Sequence, residues 1–297
     1  MNIHIIGGGA VGLFFAAQWC EKHAVTLWTR TEQQAEMISR GGIRVLENHM
    51  ENIYPVNSKK IESLYVEGDL VVVAVKQYHM KEVLPLLQNA AAQSVLFLQN
   101  GMSHLDFLEQ VPHPHLYAAS VEHGLAKIDG RTIQVNGRNK TNIGSLRSGT
   151  AGIIDQLQTG SFRFDWNENS YHMLIEKMAA NAIINPLTAL LKVKNGEIAE
   201  NARFRAIAKD LSREFASVFS YKTAEDTFQS VLSICTKTAD NESSMLKDMK
   251  AGNLTEIDAI VGVLLKTAEK NHRSVPAFQL LYNMIKGKEN TPEFMSK

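Results

Sequence analysis

The sequence predicts an α/β domain built on a parallel sheet, followed by an all-helical domain. Three observations carry this. A short apolar strand, Asn2 to Ile6, runs into a glycine cluster and then into an apolar helical segment. The run Leu70-Val71-Val72-Val73-Ala74-Val75 has the composition of a strand buried on both faces of a parallel sheet. From about Ser170 onward strand signals stop and apolar residues recur at helical spacing. The expected division is 1–168 and 169–297.

Bulk composition agrees with two domains or one large one. The chain has 297 residues, 44% hydrophobic and 21% charged, which is ordinary for a globular enzyme. Formal net charge is zero, so no global field draws nucleic acid or an acidic membrane. Cys20 and Cys235 are the two cysteines and have no metal-ligand spacing. Core thiols in a reducing cytoplasm are the expectation. The N-terminus shows no basic leader, and no apolar run reaches the roughly 18–20 residues of a membrane span. His113 and His115 flank Pro114 without carboxylate or thiolate companions, so no metal site is expected.

Taken in order, the first element is the most informative. Gly7-Gly8-Gly9-Ala10-Val11-Gly12 sits between strand and helix, with Gly7, Gly9 and Gly12 in the GxGxxG positions. The first glycine permits a tight turn, the second lets backbone approach a pyrophosphate, and the third lets helix pack close to strand. The helix N-terminus then offers free N–H groups to the anion. This makes the first domain Rossmann-type and residues 7–12 a cofactor loop.

Ala24 to Trp28 is the second strand. An NAD site has Asp or Glu at its end to bind the ribose 2′-hydroxyl; here Arg30 stands there, which favours a 2′-phosphate and hence NADPH/NADP+. The plain alternative is a solvated charge. Thr31-Glu32-Gln33-Gln34 reads as a capping box for the next helix. Gly41 to Asn57 reads as a hairpin or two short strands around Glu47-Asn48-His49.

The apolar run from Leu70 ends in Lys76, placed at a strand's carboxyl end to meet cofactor phosphate or ribose, and equally readable as a loop lysine. A helix over His79 to Ala91 precedes a strand from Ser94 to Leu98, which ends in Gln99-Asn100-Gly101. That position points to the ligand side of the sheet, although Asn-Gly is also turn chemistry. Leu116 to Leu125, Thr132 to Val135, Thr141 to Leu146 and Phe162 to Asp165 read as further strands, with a short helix over Gly149 to Gln158.

The second domain is organised around Lys177 to Gly196. As a helix, Lys177, Asn181 and Asn185 are four apart and fall on one stripe, about 12 Å long. Met178, Ala179, Ala180, Ala182, Ile183 and Ile184 make the rest of the surface apolar, so the helix is expected to be buried. Unpaired, each buried amide costs of order 2–7 kcal/mol. Either the stripe is an internal hydrogen-bond network or its missing partner is a substrate. A lysine in line with two asparagines favours the substrate. Pro186 is expected to kink or end this helix. Further helices are expected over Ala202 to Phe219, Thr223 to Thr236, Leu254 to Ala268 and Phe278 to Ile285. Ser243-Ser244 reads as a helix cap, and Asn253-x-x-Glu256 as a capping box.

Together these residues resemble the ketopantoate reductases (2-dehydropantoate 2-reductases) along the whole chain. The resemblance rests on the glycine loop, Val73-Ala74-Val75-Lys76 and Gln99-Asn100-Gly101. It extends through Lys177-x-x-x-Asn181-x-x-x-Asn185-Pro186-Leu187-Thr188-Ala189-Leu190, Asn195-Gly196, Ser244-Met245-x-x-Asp248 and Thr255-Glu256-Ile257-Asp258. One departure is Ile175, where such proteins often carry Trp.

The resemblance implies NADPH-dependent reduction of 2-dehydropantoate to pantoate, on the way to pantothenate and coenzyme A, at a site between the two domains. It implies Lys177 as general acid. It implies that Asn181, Asn185, Ser244 and, more weakly, Asn195 hold substrate. Asn100 serves the nicotinamide side, and Glu256 orients substrate or Lys177 and touches the cofactor ribose. The expected partner is a small keto acid, and a homodimer is compatible with the pattern. Two alternatives stand beside this reading: a reductase of another 2-keto acid on the same fold, and a non-catalytic dinucleotide sensor.

Overall fold

A computed structural model of the chain describes residues 1–61, 66–160, 162–291 and 294. They group into two units, Met1–Gln99 with His104–Leu174, and Asn100–Ser103 with Ile175–Lys297.

The first unit opens with β1 (Asn2–Ile6), α1 (Ala10–Trp19), β2 (Ala24–Thr29) and α2 (Glu32–Gly41). Next come β3 (Ile43–Glu47), β4 (Met50–Tyr54) and β5 (Asn57–Lys60). Asn48 and His49 join β3 to β4 with φ of 49° and 63°, the left-handed pair that a two-residue hairpin turn needs. β6 (Glu67–Val73), a 3₁₀ turn over Gln77–His79, α3 (Met80–Asn89) and β7 (Ala91–Phe97) follow. The unit closes with β8 (His115–Val121), β9 (Gly124–Lys127), β10 (Thr132–Gly137), β11 (Thr141–Arg147), α4 (Ile153–Leu157) and β12 (Phe164–Trp166). The single strand expected over Leu116 to Leu125 is two, because β8 and β9 belong to different sheets.

One sheet has eight strands in the order β12-β11-β8-β7-β6-β1-β2-β5, and the other has four, β4-β3-β10-β9. From β5 to β8 every pair in the large sheet is parallel. Counted along the chain, those six strands lie in the doubly wound order 3-2-1-4-5-6. The order reverses between β1 and β6, so the ligand crevice belongs outside their carboxyl ends. Both faces of the sheet are covered: Leu13, Phe14, Phe15 and Trp19 pack on one, and Met80, Val83 and Leu87 on the other. Each such side chain contributes roughly 1.5–3 kcal/mol of burial. Trp19 reconciles its indole N–H with burial by donating to the Leu157 carbonyl at 2.8 Å.

His104 is fully enclosed in this unit. Gln77 Nε2 donates to its Nδ1 at 2.8 Å, Phe97 stacks on its ring, and its Nε2 has no partner among the described residues. Burial drives its pKa down to about 4. The folded state therefore holds it neutral while the unfolded chain protonates it near pH 6.5, so stability is lost as pH falls from about 6.5 toward 4. At pH 5 the loss from this group is about 2 kcal/mol. His104→Gln should flatten that limb, measured as the urea midpoint at pH 7 and pH 5. An unchanged difference between the two would assign the limb to other groups.

The second unit is helical: α5 (Ser170–Leu191), α6 (Gly196–Glu200), α7 (Ala202–Val218), α8 (Ala224–Lys237), α9 (Ser244–Lys250), α10 (Val263–Lys270) and α11 (Pro276–Glu289). α5 runs through Pro186 without ending, contrary to expectation. Ala182 to Ala189 are all buried there, and that packing outweighs one missing backbone bond. The Thr188 hydroxyl adds a donor in the same turn, 2.8 Å from the Ile184 carbonyl.

The expected Asn253–Glu256 capping box does not form. Helical structure begins past Glu256 with a π-turn, Asp258–Gly262, that leads into α10. Thr255 Oγ1 accepts from Ile257 N at 3.3 Å, while Thr255 N and Oγ1 donate to Glu289 at 2.8 and 2.6 Å.

Candidate functional site

In the first unit the predicted cofactor residues gather at the carboxyl ends of β1, β2 and β6. Gly7 turns the chain with φ of 121° and donates its N–H to the Trp28 carbonyl at 2.9 Å. Gly12 lies so close to this turn that a Cβ on it would stand 1.9 Å from the Gly7 carbonyl oxygen. A Cβ on Gly9 would instead meet nothing within 4 Å. The third glycine is thus a packing requirement, and the second borders open space. α1 starts at Gly9, Ala10 and Val11 with no side-chain cap, which leaves its first N–H groups to an anion. This donor set suits a dinucleotide pyrophosphate.

Arg30 follows β2, is exposed, and has neither hydrogen bond nor ion pair among the described residues. Lys76 is half-buried and opens the 3₁₀ turn after β6. Thr31 caps α2 by accepting from Gln34 N at 3.3 Å, but only half of the expected capping box exists. The Gln34 side chain turns away and donates to the Gly8 carbonyl at 2.8 Å and the Gly130 carbonyl at 2.7 Å. Lys127 Nζ donates to the same Gly8 oxygen at 2.8 Å. Sequence reading missed both roles: Gln34 matched a capping pattern, and Lys127 lies in no motif.

Gln99, at the strand end that the sequence placed on the ligand side, is buried with both amide atoms unpartnered among the described residues. A surface cavity of about 320 Å³, lined by Glu67, Gln93 and His113 among others, opens at the amino ends of β6, β7 and β8. It holds none of the predicted site residues.

In the second unit Lys177 and Asn181 are half-buried and Asn185 is buried, flanked by buried Met178 to Ala180 and Ala182 to Ile184, while Tyr171, His172, Glu176 and Leu191 of the same helix are exposed. Asn100 Nδ2 donates to Glu256 Oε2 at 3.3 Å, joining two residues 156 apart in the chain. Gly101 makes this possible. Its φ is 75°, a Cβ on it would lie 2.2 Å from the Ala259 carbonyl, and Met102 N reaches that carbonyl at 3.3 Å. The segment after β7 is therefore pressed onto the π-turn, which brings Asn100 to Glu256.

Ser243, not Ser244, caps α9, accepting from Leu246 N at 3.1 Å and lying 2.7 Å from Thr188 Oγ1. This bond ties the start of α9 to α5 and leaves Ser244 exposed as the first helical residue. Asn195 is buried, and its Nδ2 is committed to Thr238 Oγ1 at 2.9 Å, so only its Oδ1 lacks a partner.

A doubly wound sheet with an uncapped glycine loop, followed by a helical unit carrying a Lys-Asn-Asn stripe, defines a two-part dinucleotide-dependent oxidoreductase. Residues 3–148 match the family described as ketopantoate reductase PanE/ApbA, and residues 169–289 match its C-terminal part. The chain is 32% identical to the 2-dehydropantoate 2-reductase of Listeria innocua, over 97% of each protein. It is 34% identical to that of Bacillus subtilis, over 97% of this chain and 98% of the relative. The crystal structure of the probable 2-dehydropantoate 2-reductase from Bacillus subtilis superposes with a TM-score of 0.88 at 33% identity, covering 97% of this chain and all of that one. D-Mandelate dehydrogenase with NADH and anilino(oxo)acetate shares the fold at 21% identity, with a TM-score of 0.90 over 98% of each chain. This chain belongs to the ketopantoate reductase family.

Proposed function

We propose that this protein is a cytoplasmic 2-dehydropantoate 2-reductase that uses NADPH to make (R)-pantoate for pantothenate and coenzyme A synthesis. The observation that carries this reading is the Lys177-Asn181-Asn185 stripe, flanked by buried Met178 to Ala180 and Ala182 to Ile184, in a chain of this family. Residues 1–168 form the cofactor domain in this reading, and residues 169–297 the substrate domain.

Gly7 to Gly12 would hold the pyrophosphate through backbone N–H groups. Arg30 would take the 2′-phosphate. Lys76, Asn100 and Glu256 would hold the remaining phosphate and ribose edges. Bound NADPH supplies the hydride that reduces the keto carbon.

This chain's own contribution begins with the Lys177 ammonium, which polarises the ketone oxygen and then delivers the proton to the alkoxide. Asn181 and Asn185 offer amide donors to the substrate carboxylate and acceptors to its hydroxyl. Ser244 adds a hydroxyl from the start of α9. Asn195 has an unpartnered amide oxygen among the described residues, which suits the substrate hydroxyl. Glu256, held by Asn100, orients the lysine or the substrate. In solution the protein acts as a homodimer in this reading.

The test is loss of NADPH absorbance with 2-dehydropantoate, pyruvate and 2-ketoisovalerate, each repeated with NADH. Fast turnover confined to 2-dehydropantoate with NADPH supports the proposal. A faster rate with another keto acid replaces the substrate, and tight NADPH binding without any turnover replaces the enzyme by a sensor. Arg30→Ala should weaken NADPH binding by about 10- to 100-fold, from a charge-assisted contact of about 1.5–3 kcal/mol, and leave NADH binding nearly unchanged. Equal losses for both cofactors would remove Arg30 from the 2′-phosphate.

A further inference from the structure

Lys127 closes β9, almost a hundred residues after Arg30 in the chain. The β9–β10 turn nevertheless returns to the glycine loop. Lys127 Nζ sits 2.8 Å from the Gly8 carbonyl, and Gln34 ties that carbonyl to Gly130, inside the turn, by bonds of 2.8 and 2.7 Å. The ammonium is therefore held at the cofactor end of β1 by a fixed backbone oxygen, with one of its three donors used.

It forms no direct ion pair there among the described residues. No carboxylate lies within 4 Å of Lys127 or Arg30 among the described residues. Asp129, the acid nearest in sequence, is occupied by its own turn: its Oδ1 accepts from Arg131 N and Thr132 N, both at 2.8 Å. Arg30 lies within electrostatic range of Lys127. Desolvation pushes the Lys127 pKa below the usual lysine range; the Asp129 charge opposes this, and the Arg30 charge adds to it more weakly. The two cations repel each other, and Asp129 offsets this without a direct ion pair to Lys127. The arrangement becomes favourable when an anion of about two charges joins them, and a phosphate monoester has that charge at neutral pH.

We propose that Lys127, anchored on the Gly8 carbonyl, joins Arg30 as a second cationic contact for the 2′-phosphate and is a determinant of cofactor choice. This rests on the reading of the loop as an NADPH site. It assigns to the small sheet, through its β9–β10 turn, a share in selecting between phosphorylated and unphosphorylated dinucleotides.

The test is binding, with no turnover involved. Titrate 2′,5′-ADP, 5′-AMP, NADPH and NADH into the wild-type protein, Lys127→Met, Lys127→Gln and Lys127→Arg, following heat of binding or nucleotide fluorescence. Lys127→Met and Lys127→Gln should weaken 2′,5′-ADP and NADPH roughly tenfold, about 1.4 kcal/mol, and leave 5′-AMP and NADH within about twofold. Lys127→Arg should stay near wild type. The salt dependence of 2′,5′-ADP binding should become shallower in the two neutral variants.

Equal weakening of all four ligands would make Lys127 a prop for the glycine loop and overturn the proposal. So would wild-type affinities in Lys127→Met. Gln keeps a donor for Gly8, so a selective loss in that variant isolates charge from loop support. If the wild-type protein itself shows no preference for 2′,5′-ADP over 5′-AMP, the NADPH reading falls and takes this proposal with it. If that preference persists, and shrinks in Arg30→Ala but not in Lys127→Met, only the role of Lys127 falls.

Discussion

Lys177→Ala should give a folded protein that still binds NADPH but turns over 2-dehydropantoate at least about a hundredfold more slowly. The reason is local to α5. Lys177 is the only lysine of the helix, and the next two residues on its stripe are amides with no proton to give at neutral pH. Water in place of the ammonium would be a weaker acid and a poorer partner for the developing alkoxide. The readouts are kcat, NADPH affinity by titration, and melting temperature. Near-normal kcat in a folded Lys177→Ala protein would refute the acid role. A matching fall in NADPH affinity would move the lysine to cofactor binding.

Alanine at Gly9 and alanine at Gly12 should fail in opposite ways. At Gly9 the new methyl enters open space, so the fold should be unaffected. That space is the one proposed for the pyrophosphate, so NADPH affinity should fall at least about tenfold, or 1.4 kcal/mol. At Gly12 the methyl would stand 1.9 Å from the Gly7 carbonyl, and α1 must move away from β1. Overpacking of this kind costs up to about 3 kcal/mol or more, a fall of roughly 6–12 °C in Tm for a unit of this size. Thermal melts and NADPH titrations on both variants check the pair. A destabilised Gly9→Ala protein, or a Gly12→Ala protein with an unaltered melt, would contradict the division of labour between the two glycines.

Most elements were legible because their signals are local. The glycine spacing, the Val-rich β6 and the apolar run around Lys177 each state their burial within a few residues, and periodicity follows burial directly. The errors share a cause. Pro186 has a strong local preference to break a helix, and buried packing on both sides overrides it. Asn253 and Glu256 have the spacing of a capping box, but Glu289, brought in by α11, secures Thr255 and shifts the helix start. Gln34 has the right spacing too, and two carbonyls far away in sequence claim its amide. In each case a partner distant along the chain decided between two locally acceptable arrangements.

The sequence by itself determined the doubly wound sheet and helical second half, the glycine loop, the position of Arg30 and the Lys-Asn-Asn stripe, since spacing and side-chain chemistry are properties of neighbouring residues. Only the tertiary structure decided that Asn100 meets Glu256, that Ser243 and not Ser244 is the cap, that Asn195 spends its donor on Thr238, and that Lys127 reaches Gly8. Those pairings depend on which backbone carbonyls and hydroxyls packing leaves within about 3 Å of a donor, and no local pattern records that distance.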